Sequence, residues 1–273
     1  CKAGIVGSFP ALNARPAELL DTWLSDITDD LKKFKADHPD KPVGPIAVNQ
    51  IVHDSNVRLM QDVETCVKHQ VPIIISSLRA PVPEMIDAVH AYGGIVLHDV
   101  INMRHAAKAL DAGVDGLIVV AAGAGGHAGA QSPFALVGEL RRHYDGPVIL
   151  SGAIGTGAAI LAAQAMGADL AYIGTRFIAS AEAHAVQEYK QAIVRASASD
   201  IILTDLFTGV RGNYIRESIE RAGLDPDHLP ANQTDMNFSS GTSKPKSWKD
   251  IWGAGQGVGQ IDDVPTVAEI VDR

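Results

Sequence analysis

Short runs of apolar, mostly β-branched residues alternate along the chain with longer segments in which apolar residues recur every three or four positions. The run at residues 71–75 is of the first kind, and the segment before it, 55–69, is of the second. The apolar stripe of that segment consists of Leu59, Val63, Cys66 and Val67, which is the spacing of an amphipathic helix. Such alternation is typical of β-strand–α-helix–β-strand units.

The pattern predicts seven of these units. The expected strands are residues 3–9, 45–49, 71–76, 94–98, 116–121, 147–151 and 169–174. The expected helices are residues 15–36, 55–69, 83–92, 103–112, 133–144, 156–166 and 181–196. Because most strands are continuous apolar runs, they are typical of parallel strands covered on both faces. We therefore predict an α/β fold, a (β/α)8 TIM barrel whose first strand lies upstream of Cys1. A doubly wound open sheet is the alternative.

The regular alternation stops after residue 196. Residues 200–206 predict a short strand or helix, 215–222 a helix and 239–246 a polar loop, and a last helix is expected near 267–272. We therefore divide the chain into a cofactor-binding barrel domain, 1–196, and a helical appendage, 197–273. The appendage is expected to pack on the barrel and to complete the active site.

The composition narrows the range of partners. The formal net charge is −9, which argues against nucleic acid or an anionic membrane, since both require clustered Lys and Arg. The basic cluster of Lys244, Lys246 and Lys249 is small and is followed by Asp250. The apolar runs have the length of strands, too short to span a bilayer. Two cysteines give no disulfide framework, so we expect a cytoplasmic protein that acts on a small molecule.

Three glycine-rich segments, 123–129, 151–157 and 173–176, follow predicted strands, at the end of a barrel where active sites are built. The last two follow consecutive strands, in the place where barrels frequently bind phosphate. Glycines let the backbone approach a phosphate closely, and Thr156, Thr175 and Arg176 would add donors. The alternative is that these glycines only permit tight turns. Two such loops in succession favour a phosphate site.

His127 is the only side chain with acid–base chemistry in the first glycine-rich segment. Its small neighbours leave space for a flat ring beside the imidazole, and a neutral His at this position can remove a carbon-bound proton. The alternative is a structural His that bonds a backbone carbonyl. His98 and Asp99 end a predicted strand at the same edge. No spacing typical of a metal site occurs, so no metal is expected.

Several nucleotide and hydrolase motifs are missing or weak. The run 253–259 contains only a weak G-x-G-x-x-G-like pattern with no strand before it, so it does not predict a dinucleotide site. Neither a G-x-S-x-G elbow nor a G-x-x-x-x-G-K-[ST] loop is present. A phosphate site, a flat glycine-lined pocket and one His together suggest an enzyme that uses flavin mononucleotide (FMN). Composition alone does not separate it from a phosphosugar isomerase or synthase on the same barrel.

At these segments the sequence resembles a known family. Residues 124–129 (AGGHAG), 151–154 (SGAI), 167–169 (GAD) with 173–177 (IGTRF), and 251–256 (IWGAGQ) resemble the nitronate monooxygenases, formerly called 2-nitropropane dioxygenases. The likeness extends over nearly the whole chain. It implies an FMN-binding (β/α)8 barrel with a helical second region.

The resemblance also implies roles for individual residues. His127 matches the family's catalytic His, which takes the α-proton of a nitroalkane or contacts the nitronate. The implied cofactor-binding residues are Asn49 and Asp99 near the flavin ring, Gly125 and Gly126 beside the flavin, and the phosphate loops Gly152–Ala153 and Gly174–Thr175. The family usually has Gly-Gly where this chain has Gly152 and Ala153. Some relatives carry Lys where Asp99 stands, and an acid near the flavin pyrimidine would disfavour the anionic reduced flavin.

The implied activity is the FMN-dependent oxidation of alkyl nitronates, and of nitroalkanes, by O2 to carbonyl compounds and nitrite. The expected partners are a small-molecule substrate and O2, and a homodimer is the expected assembly. Two alternatives stay open at this point. One is an NAD(P)H-dependent flavin reductase of quinones or enoyl thioesters, and the other is a phosphate-binding barrel without catalytic activity.

Overall fold

The predicted alternation of strands and helices is present in the computed structural model, which describes residues 1–230 and 250–273. The strands are β1 (Gly7–Pro10), β2 (Ile46–Val52), β3 (Ile73–Leu78), β4 (Ile95–Val100), β5 (Gly116–Val120), β6 (Gly126–His127), β7 (Val148–Ser151), β8 (Leu170–Tyr172), β9 (Ile201–Thr204) and β10 (Gly212–Ile215).

The helices occupy the segments between these strands and the carboxyl-terminal part of the chain. They are α1 (Leu19–Asp37), α2 (Leu59–Lys68), α3 (Pro83–His90), α4 (Met103–Asp111), α5 (Pro133–Arg141), α6 (Gly157–Ala165), α7 (Thr175–Ile178), α8 (Gln187–Arg195), α9 (Arg216–Arg221) and α10 (Val267–Asp272). Short 3-10 turns cover Ala11–Asn13, Ala198–Asp200 and Gln256–Gln260. The predicted last helix is therefore confirmed at its expected position.

Seven strands form one sheet in the order β1-β2-β3-β4-β5-β7-β8, which follows the order of the chain. The pairings β1–β2, β2–β3, β3–β4 and β7–β8 are parallel. The longest register, between β2 and β3, runs from Ala47 opposite Ile73 to Val52 opposite Leu78. This parallel sheet with its helices confirms the predicted α/β fold class of the (β/α)8 type.

The chain divides into two compact units. The first comprises Cys1–Val100 and Arg104–Leu117, and the second comprises Ile101–Met103 and Ile118–Arg273. In the first unit the core includes the fully buried side chains of Leu20, Leu24, Ile74 and Met85. In the second unit a cluster joins residues before and after position 196, among them Ala179, Ile193, Ile215, Trp252 and Val258. The domain boundary expected at residues 196/197 stays a prediction.

A second sheet of three antiparallel strands, in the order β6-β10-β9, lies in the second unit. The strand alternative for residues 200–206 is thus confirmed by β9, and α9 lies within the predicted 215–222 helix. The sequence pattern did not predict β10, which follows β9 and pairs with it from Gly212 opposite Thr204 to Ile215 opposite Ile201. The predicted polar loop at 239–246 and the lysines Lys244, Lys246 and Lys249 lie outside the described residues.

An ion pair fixes the amino-terminal end of α2 in the first unit. The Arg58 guanidinium donates to both carboxylate oxygens of Asp62, with a shortest distance of 2.8 Å, and also to the carbonyl of Ala14 at 2.7 Å. Asp62 is only 1% exposed, and its burial raises the pKa of that carboxyl while Arg58 opposes the rise. Removing the cation that pairs with a buried carboxylate strongly destabilises the folded protein.

We therefore expect Arg58→Met to lower the free energy of unfolding by about 3–5 kcal/mol, measured by urea denaturation, because Asp62 would stay buried without its cation. The control is Arg195→Met, which breaks an ion pair between Arg195 and Glu217. The side chains of these two residues are 56% and 38% exposed. That change is expected to cost less than about 1 kcal/mol. Equal losses in the two variants would contradict the assignment. Replacing both charges, as Arg58→Met with Asp62→Leu, should recover part of the loss.

Candidate functional site

His127 lies on β6, a strand of two residues that pairs with β10 in the second sheet. Gly212 of β10 stands opposite His127 in the register, and the next N–H group, of Ala128, donates to the carbonyl of Arg211 at 3.1 Å. The glycine-rich segment is therefore not a free loop around His127. A neighbouring strand fixes its backbone, which restricts the positions that the imidazole can reach.

The side chain of Asn213, on β10, forms a hydrogen bond with the same glycine-rich segment. Its Nδ2 donates to the carbonyl of Ala124 at 2.6 Å, and the side chain is 3% exposed. A buried amide without its partner would lose a hydrogen bond that water cannot replace. Asn213 therefore holds the first half of the segment, while the backbone of β10 holds the second half.

The imidazole of His127 is half-buried, with Nε2 at 3.0 Å from Oγ1 of Thr208. Burial lowers the pKa of His127 below its ordinary value, because the charged form loses more hydration than the neutral form. At neutral pH the ring is therefore neutral, the form in which one of its nitrogens can accept a proton.

A cleft lies in the second unit at the carboxyl ends of β7 and β8. Its lining brings together residues of the three glycine-rich segments and of the chain near its carboxyl end. The lining residues are Ala124, Gly125, Ser151, Gly152, Ala153, Ile154, Tyr172, Ile173, Gly174, Thr175, Gly255 and Gly257. None of these side chains is charged, so the polarity of the cleft comes mainly from backbone groups.

The walls of the cleft meet at glycines. A β-carbon on Gly125 would lie 2.7 Å from the backbone nitrogen of Gly255, and one on Gly255 would lie 2.6 Å from the carbonyl oxygen of Gly123. Both distances are too short for real atoms, and the obstructing atoms are backbone. Residues 254–257, which we name the closing segment, can therefore approach the first glycine-rich segment only without side chains at these positions.

The carbonyl of Gly123 joins three parts of this cleft. It accepts from the N–H of Gln256 at 2.9 Å and from the N–H of Ala153 at 3.2 Å. Ala153 therefore lines the cleft with its N–H already engaged by the protein. Its φ of +54° is uncommon for a residue with a β-carbon, and Gly152 before it has a φ of +141°. The turn after β7 is thus held in a conformation that favours glycine.

The donors expected beside a phosphate differ in where they lie. Thr175 lines the cleft, and its hydroxyl accepts from the N–H of Gly255 at 2.9 Å. Thr156 instead caps α6, where its hydroxyl accepts from the N–H of Ala159. Arg176 is 6% exposed and bonds Asp263 at 3.1 Å together with two backbone carbonyls. Arg176 does not line the cleft, and its guanidinium bonds Asp263 and those carbonyls, so its role as a phosphate donor stays a prediction.

In the first unit, Asn49 and Asp99 are connected through Ser77. Asn49 Nδ2 donates to Ser77 Oγ at 2.6 Å, and Ser77 Oγ donates to Asp99 Oδ2 at 2.5 Å. The other carboxylate oxygen, Oδ1, is buried and has no hydrogen-bond partner among the described residues. Burial raises the pKa of Asp99 to about 6, and the bond from Ser77 opposes the rise. The two residues predicted at the flavin ring thus belong to one chain of hydrogen bonds, which ends at Asp99 with one carboxylate oxygen unsatisfied among the described residues.

His98, beside Asp99, is 2% exposed and its Nδ1 lies 2.8 Å from Ser76 Oγ. Burial lowers the pKa of His98 to about 4, so it is a neutral residue of the first unit's interior. Across residues 1–230 and 250–273, His, Cys, Asp and Glu form no group of three or more that could hold a metal ion. In the same part of the chain, no helix is both long and apolar enough to cross a membrane.

Sequence reasoning missed several residues of this site. Gly255 and Gly257 line the cleft, although the run 253–259 has no predicted strand before it and does not predict a binding site. Thr208 and Asn213 contact the His127 segment from a part of the chain that was expected to be helical apart from one short element. The density of glycine in 253–259 was the available signal for the closing segment. Nothing local to Thr208 or Asn213 indicated a role.

Comparison with known proteins identifies relatives over most of the chain. Residues 12–273 match the family model described as nitronate monooxygenase. A nitronate monooxygenase of Paraburkholderia phytofirmans is 28% identical over 214 residues, which are 75% of this chain and 56% of that protein. A protein of Staphylococcus haemolyticus named "Probable nitronate monooxygenase" is 23% identical over 90% of this chain and 71% of its own length. The chain thus spans between about half and three quarters of these curated relatives.

Solved structures show the same fold. FabK (M276A) of Thermotoga maritima is 26% identical with a TM-score of 0.69, covering 99% of this chain and 90% of that one. Nitroalkane oxidase from Streptomyces ansochromogenes is 20% identical with a TM-score of 0.77, covering 100% of this chain and 88% of its own. The predicted family and the predicted class of oxidoreductase are confirmed: the chain belongs to the nitronate monooxygenase family.

Proposed function

We propose that this protein oxidises alkyl nitronates with O2 to carbonyl compounds and nitrite, using FMN. The observation that carries the proposal is the uncharged, glycine-lined cleft, because part of its wall belongs to the same glycine-rich segment as His127. Ala124 and Gly125 line that cleft, and His127 follows two residues later. Membership of the nitronate monooxygenase family supports the reaction class.

The cleft fits a phosphate group. Its walls are backbone at Gly125, Gly152 and Gly174, so an anion can approach N–H groups without meeting side chains. A β-carbon on Gly174 would meet no atom within 4 Å, which shows open space beside that residue. We also propose that Ala153 and Thr175 contact the phosphate, since both line the cleft. Gly126 is proposed to lie beside the flavin.

FMN, when bound, would supply the one-electron chemistry that connects a nitronate to O2. The chain itself would hold the phosphate, line the cleft with uncharged residues and position His127. His127 is neutral at physiological pH, so it can take the α-proton of a nitroalkane and generate the nitronate. We propose Asn49 and Asp99 as further flavin contacts. Hydrogen bonds through Ser77 link these two residues to each other. A cytoplasmic location and a homodimer stay predictions.

Replacing His127 by Asn should separate proton removal from oxidation. We expect His127→Asn to keep its FMN absorbance and to lose turnover of neutral nitroalkanes by about 10²- to 10⁴-fold, the usual contribution of a general base. Preformed nitronates carry no proton to remove, so their turnover should fall much less. The measurement is nitrite release in air with the two substrate forms.

An equal loss on both substrate forms would contradict the base role of His127. The matched control is His228→Asn, since His228 is exposed and pairs with Asp225 on the surface. An anaerobic mixture with NADH or NADPH tests the reductase alternative, because only that activity bleaches the flavin rapidly without a nitro compound.

Filling the open space at Gly174 should weaken FMN through its phosphate. We expect Gly174→Val to raise the Kd for FMN about ten- to hundredfold, corresponding to about 1–3 kcal/mol of overpacking. Riboflavin, which lacks the phosphate, should bind the wild type more weakly than FMN and should be little affected by the variant. Flavin fluorescence during titration of the apoprotein measures both constants.

The control for this experiment is Gly138→Ala on α5, where a β-carbon also meets no atom within 4 Å but the residue does not line the cleft. Its affinity for FMN should equal that of the wild type. If FMN and riboflavin bound the wild type equally well, the assignment of the cleft to a phosphate would be wrong.

A further inference from the structure

The peptide group that joins Ala124 to Gly125 is held on one side by Asn213. Nδ2 of Asn213 donates to the carbonyl oxygen of Ala124 at 2.6 Å. Because a carbonyl oxygen only accepts hydrogen bonds, the side-chain atom that faces it must be the amide nitrogen. The chemistry of the two groups therefore fixes both the direction of this bond and the orientation of the Asn213 amide.

The N–H of the same peptide group belongs to Gly125 and points the opposite way. The peptide bond is trans, and a trans peptide directs its N–H away from its carbonyl. Gly125 is exposed and lines the cleft. Among the described residues, its N–H is bonded to no acceptor. The wall of the cleft therefore presents a donor that the described part of the chain does not use.

Two features make this N–H suited to an anion. A β-carbon on Gly125 would lie 2.7 Å from the backbone nitrogen of Gly255, so the residue must be glycine and no side chain covers its N–H. The bond from Asn213 to the carbonyl polarises the whole peptide group, which strengthens the N–H at its other end as a donor. Hydrogen bonds from N–H groups to phosphate oxygens are also stronger than neutral ones, because the acceptor is charged.

We propose that the Gly125 N–H donates to the phosphate group of the ligand in this cleft, and that Asn213 is the positioning residue that orients this donor. The identification of the phosphate with that of FMN rests on the proposed function. Asn213 acts through the Ala124–Gly125 peptide and not on the ligand, since its side chain is 3% exposed and does not line the cleft.

The fold gives Asn213 a defined position. In β10 it stands opposite Leu203 of β9 on one side and opposite Gly126 of β6 on the other. Its carbonyl oxygen also accepts from the N–H of Ala254, the first residue of the closing segment, at 3.2 Å. The backbone of Asn213 is therefore fixed on both sides, and its side chain does not depend on a flexible connection to reach Ala124.

Amide signals of the deuterated, ¹⁵N-labelled apoprotein test the Gly125 bond directly. After backbone assignment, the protein is titrated separately with FMN, riboflavin and inorganic phosphate. We expect the Gly125 amide proton to move downfield with FMN and with inorganic phosphate, because both supply a charged acceptor. Riboflavin, which lacks the phosphate, should leave it nearly unchanged. A Gly125 signal that stays in place, or that moves equally with FMN and riboflavin, would overturn the proposal.

Replacing Asn213 by Ala tests the positioning role. We expect Asn213→Ala to raise the Kd for FMN about tenfold, because the Gly125 donor loses its fixed direction, and to leave the Kd for riboflavin nearly unchanged. An equal loss for both flavins would show a general disturbance and would overturn the positioning role. The wild-type spectra require no variant, so the proposal stays falsifiable if Asn213→Ala does not fold.

The matched control is Asn56→Ala in the first unit. Asn56 is 7% exposed, and its Nδ2 donates to the carbonyl oxygen of Ile51 at 2.8 Å, so this variant also loses a buried bond from an Asn amide to the backbone. Asn56 does not line the cleft. The ratio of the Kd values for FMN and riboflavin should therefore equal that of the wild type.

The same titrations separate this inference from the proposed function. If FMN and riboflavin bound the wild type equally well and inorganic phosphate moved no amide signal, the assignment of the cleft to a phosphate and this inference would both fail. If inorganic phosphate moved the amide signals of Gly152 and Gly174 but not that of Gly125, only this inference would fail. A wild type that binds FMN in this way but releases no nitrite from nitronates would contradict the proposed reaction alone.

Discussion

The approach of the closing segment to the glycine-rich segment after β5 is the constraint on which the site depends. Backbone atoms of residues 123–125 and 254–257 lie where β-carbons would otherwise stand. The same carbonyl, that of Gly123, accepts from Gln256 and from Ala153, so it joins the closing segment to the turn after β7. A larger residue at Gly125 or Gly255 would separate these walls. The cleft is consequently built from peptide groups, which can meet an anion without a charged side chain.

His127 depends on a different kind of support. Two residues of β6 are too few for a stable strand alone, and a hairpin without further packing is marginal in water. Here β10 pairs with β6 on one side and with β9 on the other, and Tyr214 and Ile215 of β10 are buried. The position of the imidazole therefore follows from a packed sheet. Catalytic groups held in this way keep their geometry better than groups on unsupported loops.

Local patterns predicted the parallel sheet and the glycine turns, but not the contacts between distant segments. Strands such as β2 and β3 are apolar runs bounded by breakers, which a short window detects. β10 has the sequence Gly-Asn-Tyr-Ile, without alternation, and its partner β6 is Gly-His. Only Tyr214 and Ile215 among these six residues favour strands, so the pairing of β6 with β10 comes from tertiary contacts. In the same way, no local signal pairs Arg176 with Asp263, which is 87 residues further along the chain.

Asp99 shows a local conflict of the kind that functional residues produce. Its pKa of about 6 lies above the ordinary 3.8, so the folded protein keeps a proton that the unfolded chain releases between these values. Stability from this group is therefore lost as the pH rises through that window. At neutral pH the carboxylate is charged, its Oδ1 has no partner among the described residues, and Ser77 offsets only part of the burial. A residue that opposes folding in this way is not explained by stability, which favours its predicted role at the flavin.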